Sequence, residues 1–172
     1  MTNRAIEKPA TIAALPHYKG LPVPAMVQFD SLGVPDFKVI DMEKWGALMS
    51  ARKCGICGQA MGNFVWFVGG PLCHLNRLFT DLPMHHACAI FALRTCPYLA
   101  LPRYKFIMKD VVIDGVEMNI NEHVTTKRPD AFGLFQSAGY QLAMLEGSPA
   151  VLLLSKPFKT VQWWRHGEAI AS

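Results

Sequence analysis

Arg52-Lys53-Cys54-Gly55-Ile56-Cys57-Gly58, answered downstream by Pro83-Met84-His85-His86-Ala87-Cys88-Ala89, decides how the rest of this chain is read. A two-residue gap places the Cys54 and Cys57 thiolates on one tight turn. A three-residue step on a helix places the His85 imidazole and the Cys88 thiolate on one face. Together these are four soft or borderline donors, a set that suits tetrahedral zinc. Gly55 and Gly58 flank the turn without Cβ atoms, so backbone N–H groups can approach the sulfurs. At the helix start, unpaired amides and the positive dipole end favour the thiolate form of Cys88. His86 lies two residues before Cys88, off the face that His85 occupies, and reads as a surface or supporting residue.

The competing reading is a set of buried cysteines beside a redox pair. A redox pair usually sits at a strand-to-helix junction, whereas glycine on both sides favours a metal knuckle. Cys96 lies about 12 Å along the axis from Cys88 if one helix holds both, at about 1.5 Å per residue. Sulfurs sharing one ion stand less than about 4 Å apart, so Cys96 is excluded from the site. Cys73 stays open as a substitute for His85 if the intervening hairpin folds back. Otherwise it and Cys96 are ordinary buried thiols. Four protein ligands leave no position for substrate, so the expected cofactor is one structural zinc and no residue is assigned a catalytic role.

Composition narrows the class. In 172 residues, 51% are apolar and only 17% charged, enough for the core of one domain. So little charge also raises the prospect that a partner or a second copy of the chain covers some surface. A net charge of +4 is far from the concentrated charge of a dedicated DNA-binding domain. No stretch has the length of a membrane-spanning helix, and Met1 to Leu15 has no apolar core for export. Five cysteines, an odd number with metal spacing, fit a reducing cytoplasm better than a disulfide framework.

Along the chain, residues 1–22 read as a loose N-terminal arm punctuated by Pro9, Pro16 and Pro22. Ala25 to Phe29 and Phe37 to Ile40 read as strands. Asp41 is the expected N-cap of a helix over 42–51, in which Met42, Trp45, Leu48 and Met49 recur at helical spacing. Asn63 to Val68 reads as a strand buried on both faces, ended by Gly69-Gly70-Pro71. The return leg, Leu72 to Phe79, is less regular. Asp81 and Pro83 signal a helix start, the best helix runs from Met84 to Cys96, and Pro97 stops it. Beyond it the pattern turns to β: a hairpin of 106–113 and 116–120 about Asp114-Gly115, strands at 140–145 and 150–154, and a short strand at 161–164. Knuckle, β-hairpin and helix in that order make a treble clef. The expected fold is α+β: an N-terminal strand-helix segment, a zinc-stabilised treble-clef core within 23–101, and a β-rich part, 102–172, packed on it.

Other candidates are weaker. Arg52, Lys53, Arg77, Arg94, Arg103, Lys105 and Lys109, with Trp66, Phe67 and Tyr104 among them, could contact phosphates and stack on bases. A solvated rim with buried aromatics explains them as well. His74 and Asn76 lack the spacing of a histidine-metal nuclease. Trp163 and Trp164 with Arg165 read as core plus a cation–π contact.

The run from Pro35-Asp36-Phe37-Lys38-Val39 through Cys54-Gly55-Ile56-Cys57-Gly58, Gly70-Pro71-Leu72-Cys73, Pro83 to Ala89 and Cys96-Pro97-Tyr98-Leu99 resembles a family of small bacterial and phage-associated proteins with a treble-clef-like zinc site. The resemblance spans about residues 35–101, with a weaker likeness near Val161 to Trp164. It implies Cys54, Cys57, His85 and Cys88 as ligands and a role for Cys73 and Cys96, but no activity. The functional expectation is therefore a non-catalytic binding module for a protein or nucleic acid. The alternative is an enzyme with its site in the C-terminal β-rich half, which a concave pocket holding His123 or His166 beside a carboxylate would favour.

Overall fold

The computed structural model describes residues 6–101, 112–113, 116–117, 128–145, 147–153 and 157–171. Its first helix, α1 (Ala10–Ala13), follows Pro9, whose carbonyl accepts from the Ile12 and Ala13 amides at 2.9 Å. Strands β1 (His17–Tyr18) and β2 (Leu21–Pro22) form a minimal hairpin. Lys19 and Gly20 make its turn at positive φ, 49° and 81°, as the tightest hairpins require. Strands β3 (Val27–Phe29) and β4 (Pro35–Ile40) pair antiparallel. Their connection is closed by Asp30, whose Oδ1 accepts from the Leu32 and Val34 amides at 2.9 and 2.8 Å.

Helix α2 (Met42–Ser50) begins where expected, with Asp41 accepting from the Glu43 and Lys44 amides. Its buried Trp45 donates Nε1–H to the Thr80 carbonyl at 2.9 Å, which fixes the helix against the middle of the chain. There follow β5 (Val65–Gly69), α3 (Pro71–Asn76), β6 (Leu78–Phe79), α4 (His86–Thr95) and α5 (Pro97–Ala100). The remaining strands are β7 (Val112–Ile113), β8 (Val116–Glu117), β9 (Phe132–Ser137), β10 (Tyr140–Leu145), β11 (Ser148–Leu153), β12 (Thr160–Arg165) and β13 (Glu168–Ala169). β7 pairs with β8, while the rest of the hairpin expected about Asp114-Gly115 lies outside the described residues.

The frame is a four-stranded antiparallel sheet in the order β13-β12-β9-β5. Its register sets Val68 beside Leu134 and Phe67 beside Phe135. Alternation then sends the two rows to opposite faces. Val68, Leu134, Phe132 and Trp164 pack with α4, Cys54, Cys57 and Cys88. Val65, Phe67 and Phe135 pack with Trp45, Phe79, Tyr140 and Val151. A smaller sheet, β10-β11-β6, contributes the last three of those residues. Glycine is required where Gly69 faces Gly133. A Cβ on Gly133 would collide with the Phe135 ring, and one on Gly69 would stand 2.7 Å from Cys73 Cβ.

Several expectations change. From residue 6 onward the arm is structured: Ile12 is fully buried and packs with the cysteine cluster. The best helix starts at His86, not Met84. The return leg holds a helix, α3, and β6 pairs with β11 rather than with β5. The two legs between knuckle and helix therefore form no regular hairpin of their own; they meet in one bridge, Trp66 with Met84. The sheet also joins β5, from the expected core, to β9 and β12 from the expected C-terminal part.

Because Ile12 fills a site with no exposure, Ile12→Ala is expected to cost about 2–5 kcal/mol of unfolding free energy, measured by urea titration. A loss below about 0.5 kcal/mol would mean the first helix does not belong to the core.

Candidate metal centre

The Cys54 turn is held on three sides. Cys54 N–H donates to the Gln59 carbonyl at 2.9 Å, and Gly58 N–H to the Cys54 carbonyl at 2.8 Å. Gly55 N–H donates to the Pro83 carbonyl at 3.0 Å, and Ala25 N–H to the Ile56 carbonyl at 2.8 Å. Gly55 has no room for a side chain, because its Cβ would stand 2.8 Å from Leu82 Cβ. The segment before α4 is fastened on its other side by two bonds with Trp66: Met84 N–H to Trp66 O at 2.8 Å, and Trp66 N–H to Met84 O at 2.9 Å.

This strapping brings Cys54, Cys57, His85 and Cys88 together, with one ligand atom from each within 4.8 Å of the others. The group could hold a metal ion. The three cysteines are buried and His85 is partly exposed. His85 arrives by a route the helix-face argument did not foresee. It is the N-cap of α4, with extended backbone at φ −67°, ψ 151°. Its Nε2 lies 3.0 Å from the Ala60 carbonyl. A carbonyl only accepts, so Nε2 carries the proton and Nδ1 is left with a free lone pair. Nδ1 lies 3.3 Å from Cys57 Sγ and 4.0 Å from Cys88 Sγ. A tetrahedron built on metal–sulfur bonds of about 2.3 Å has edges of about 3.5–3.8 Å, so modest side-chain rotation closes the set.

The protonation pattern follows from the donors around each sulfur. The Cys54 thiol is held down to about 5, first by a hydrogen bond from the Cys88 thiol. The amides of Cys57, His85 and Ile56 act in the same direction, against burial. Cys88 is pushed up, first because its proton is held by Cys54, and burial adds to this. Burial pushes Cys57 up as well, opposed by the Gln59 amide. The donors thus favour the thiolate at Cys54 and the protonated form at Cys57 and Cys88, and a divalent ion would displace the remaining protons.

The other sequence candidates lie elsewhere. Cys73, on α3, packs against the aromatic cluster on the opposite face of the sheet, so it does not replace His85. Cys96 is the C-cap of α4 and stands outside the ligand group. His86 is exposed and lies tilted against Trp66, with centroids 4.4 Å apart. His74 packs against both Phe135 and Phe158, at 5.5 and 5.4 Å. The arginines engage separate rings: Arg52 lies over Tyr140, Arg77 over Phe158 and Arg94 over Trp164. It is Arg94, rather than the expected Arg165, that covers Trp164. His166 is exposed in the β12–β13 turn, and His123, Arg103, Tyr104, Lys105 and Lys109 lie outside the described residues. Sequence reasoning missed the Ala60 carbonyl, since a backbone acceptor leaves no mark in residue identity.

Comparison with family models, with curated proteins and with solved structures gives no match for this chain. Among the described residues, no helix is long and apolar enough to cross a membrane.

His85→Ala is expected to abolish stoichiometric metal retention after dialysis, read by elemental analysis, whereas His86→Ala retains it. Equal retention in both variants would remove His85 from the ligand set.

Proposed function

We propose that this protein is a zinc-stabilised, non-catalytic binding module, with a protein as its partner. The observation that carries the reading is the donor set: three buried cysteines and an imidazole whose far nitrogen is tied to a backbone carbonyl. Three thiolates and one histidine nitrogen are typical of closed structural zinc sites, which leave no coordination position for a substrate. Backbone amides facing Cys54 and Cys57 orient the ligands and disperse their charge. The knuckle followed by a helix, with the connecting legs joined at Trp66 and Met84, suits a reduced treble clef of the kind the resembling small bacterial and phage-associated proteins suggest.

A protein partner is favoured over nucleic acid by what the surface offers. Arg52, Arg77 and Arg94 each lie over a ring of the fold itself. Large apolar side chains are exposed instead, among them Phe64 just after the knuckle and Met144 on β10. Such residues are suited to a protein interface.

Purified protein should carry about one zinc per chain, and removal by a chelator should abolish hydrogen-exchange protection across residues 52–95. A folded, metal-free preparation with that protection intact would overturn the zinc reading. Retention on nucleic acid that falls steeply with added salt would replace the protein partner with a nucleic-acid one.

A further inference from the structure

A cavity of about 1090 Å³ opens between the N-terminal hairpins and the α3–β6–α4 segment. It is large enough for a drug-sized molecule, and its walls are mostly apolar, with Ile40, Val68 and Leu78 among them. Among the charged groups in its wall, Lys38 and Asp130 are exposed, whereas Asp81 is half-buried and without a mate among the described residues. The Asp81 carboxyl has no hydrogen bond or ion pair among the described residues, and burial holds it above the usual carboxylate range. Nor does it cap the helix that its sequence position suggested, since α4 starts five residues later behind His85.

Among the described residues no cation pairs with Asp81, and Lys38, which also lines the cavity, is exposed. Cys73 and Cys96 also line the cavity, and both thiols are raised, first by burial and further by the Asp81 charge. Arg128 is at the wall, but its guanidinium donates to the Tyr98 and Leu99 carbonyls at 2.6 and 3.1 Å. A carboxylate in apolar surroundings is costly unless paired. A metal ion would find a single carboxylate insufficient, because hard cations take six or more oxygen ligands. An anion beside Asp81 would be repelled by its charge. We propose that this cavity binds a small organic cation, an amine on an apolar body, whose charged head meets the Asp81 carboxyl. This inference does not rest on the role of the metal centre.

The test compares three probes with one body and different heads, 4-phenylbutylamine, 4-phenylbutanol and 4-phenylbutyrate, by calorimetry on the metal-loaded protein. The amine is expected to bind at least about tenfold tighter than the alcohol, and the carboxylate not measurably, as a desolvated charge pair requires. D81N should bring the amine down to the affinity of the alcohol. It should also leave the melting temperature unchanged or raised near neutral pH. A carboxyl whose folded-state pKa is raised contributes stability at low pH that is lost as pH rises through that value, and asparagine carries no such loss. Failure of all three probes to bind, equal affinity of the three heads, or an amine preference that survives D81N would each overturn the proposal. If D81N does not fold, the comparison of heads on the unsubstituted chain decides alone.

Discussion

Sulfur accepts hydrogen bonds weakly, so a buried thiolate persists only where several donors reach it or a cation neutralises it. The turn at Cys54 supplies the first condition, with the amides of Ile56, Cys57 and His85 directed at one sulfur. One of those amides comes from the far segment, at the start of α4. The knuckle and the helix are therefore already coupled through Cys54 before any ion is considered. The Gly55–Pro83 and Trp66–Met84 backbone bonds hold the same two segments in register. A ring fixed to Ala60 and three sulfurs on this frame make a site whose geometry is backbone work, with side chains completing it.

The four-stranded sheet is the wall on which that site rests. Its one face receives the cysteine cluster and α4, and its other face receives the aromatic group around Phe67, Phe79 and Phe135. The wall is thinnest where Gly69 and Gly133 face one another, and the Phe135 ring occupies the space that a side chain would need. Aromatic packing on one side and the cysteine cluster on the other thus share the same strands, β5 and β9. A disturbance of the Phe135 layer reaches the backbone that also carries Val68 and Leu134 against the cysteine cluster.

Local signals in the sequence reached local structure. Asp41 before a helical apolar stripe gave α2 and its cap, and Pro97 marked the end of α4. The Cys54 turn and the region of the second ligand pair were also visible, because short spacings translate directly into short distances. What escaped was set by distant partners. Strand β9 carries Gly133 in its interior, which weakens its β pattern, yet the strand is central because β5 and β12 flank it. The leg after β5 looked like the return of a hairpin, but β6 finds its partner in β11. Helix α1 is too short for periodicity to register, and only burial of Ile12 reveals its role. His85 was chosen by a helical argument, whereas its backbone is extended and its orientation comes from a carbonyl.

The pairing of β5 with β9 has a temporal side. Val65 is matched with Ser137, so during synthesis the first strand of the sheet emerges long before its neighbour. At about 5–20 residues per second, the ribosome leaves Phe67 and Val68 uncovered for several seconds. The knuckle and the α4 start can meet in that interval, since both emerge early, but the hydrophobic floor beneath them arrives late. A nascent chain of this kind is most vulnerable to off-pathway association between completion of α4 and delivery of β9, and early ion capture would shorten its exposure in that window.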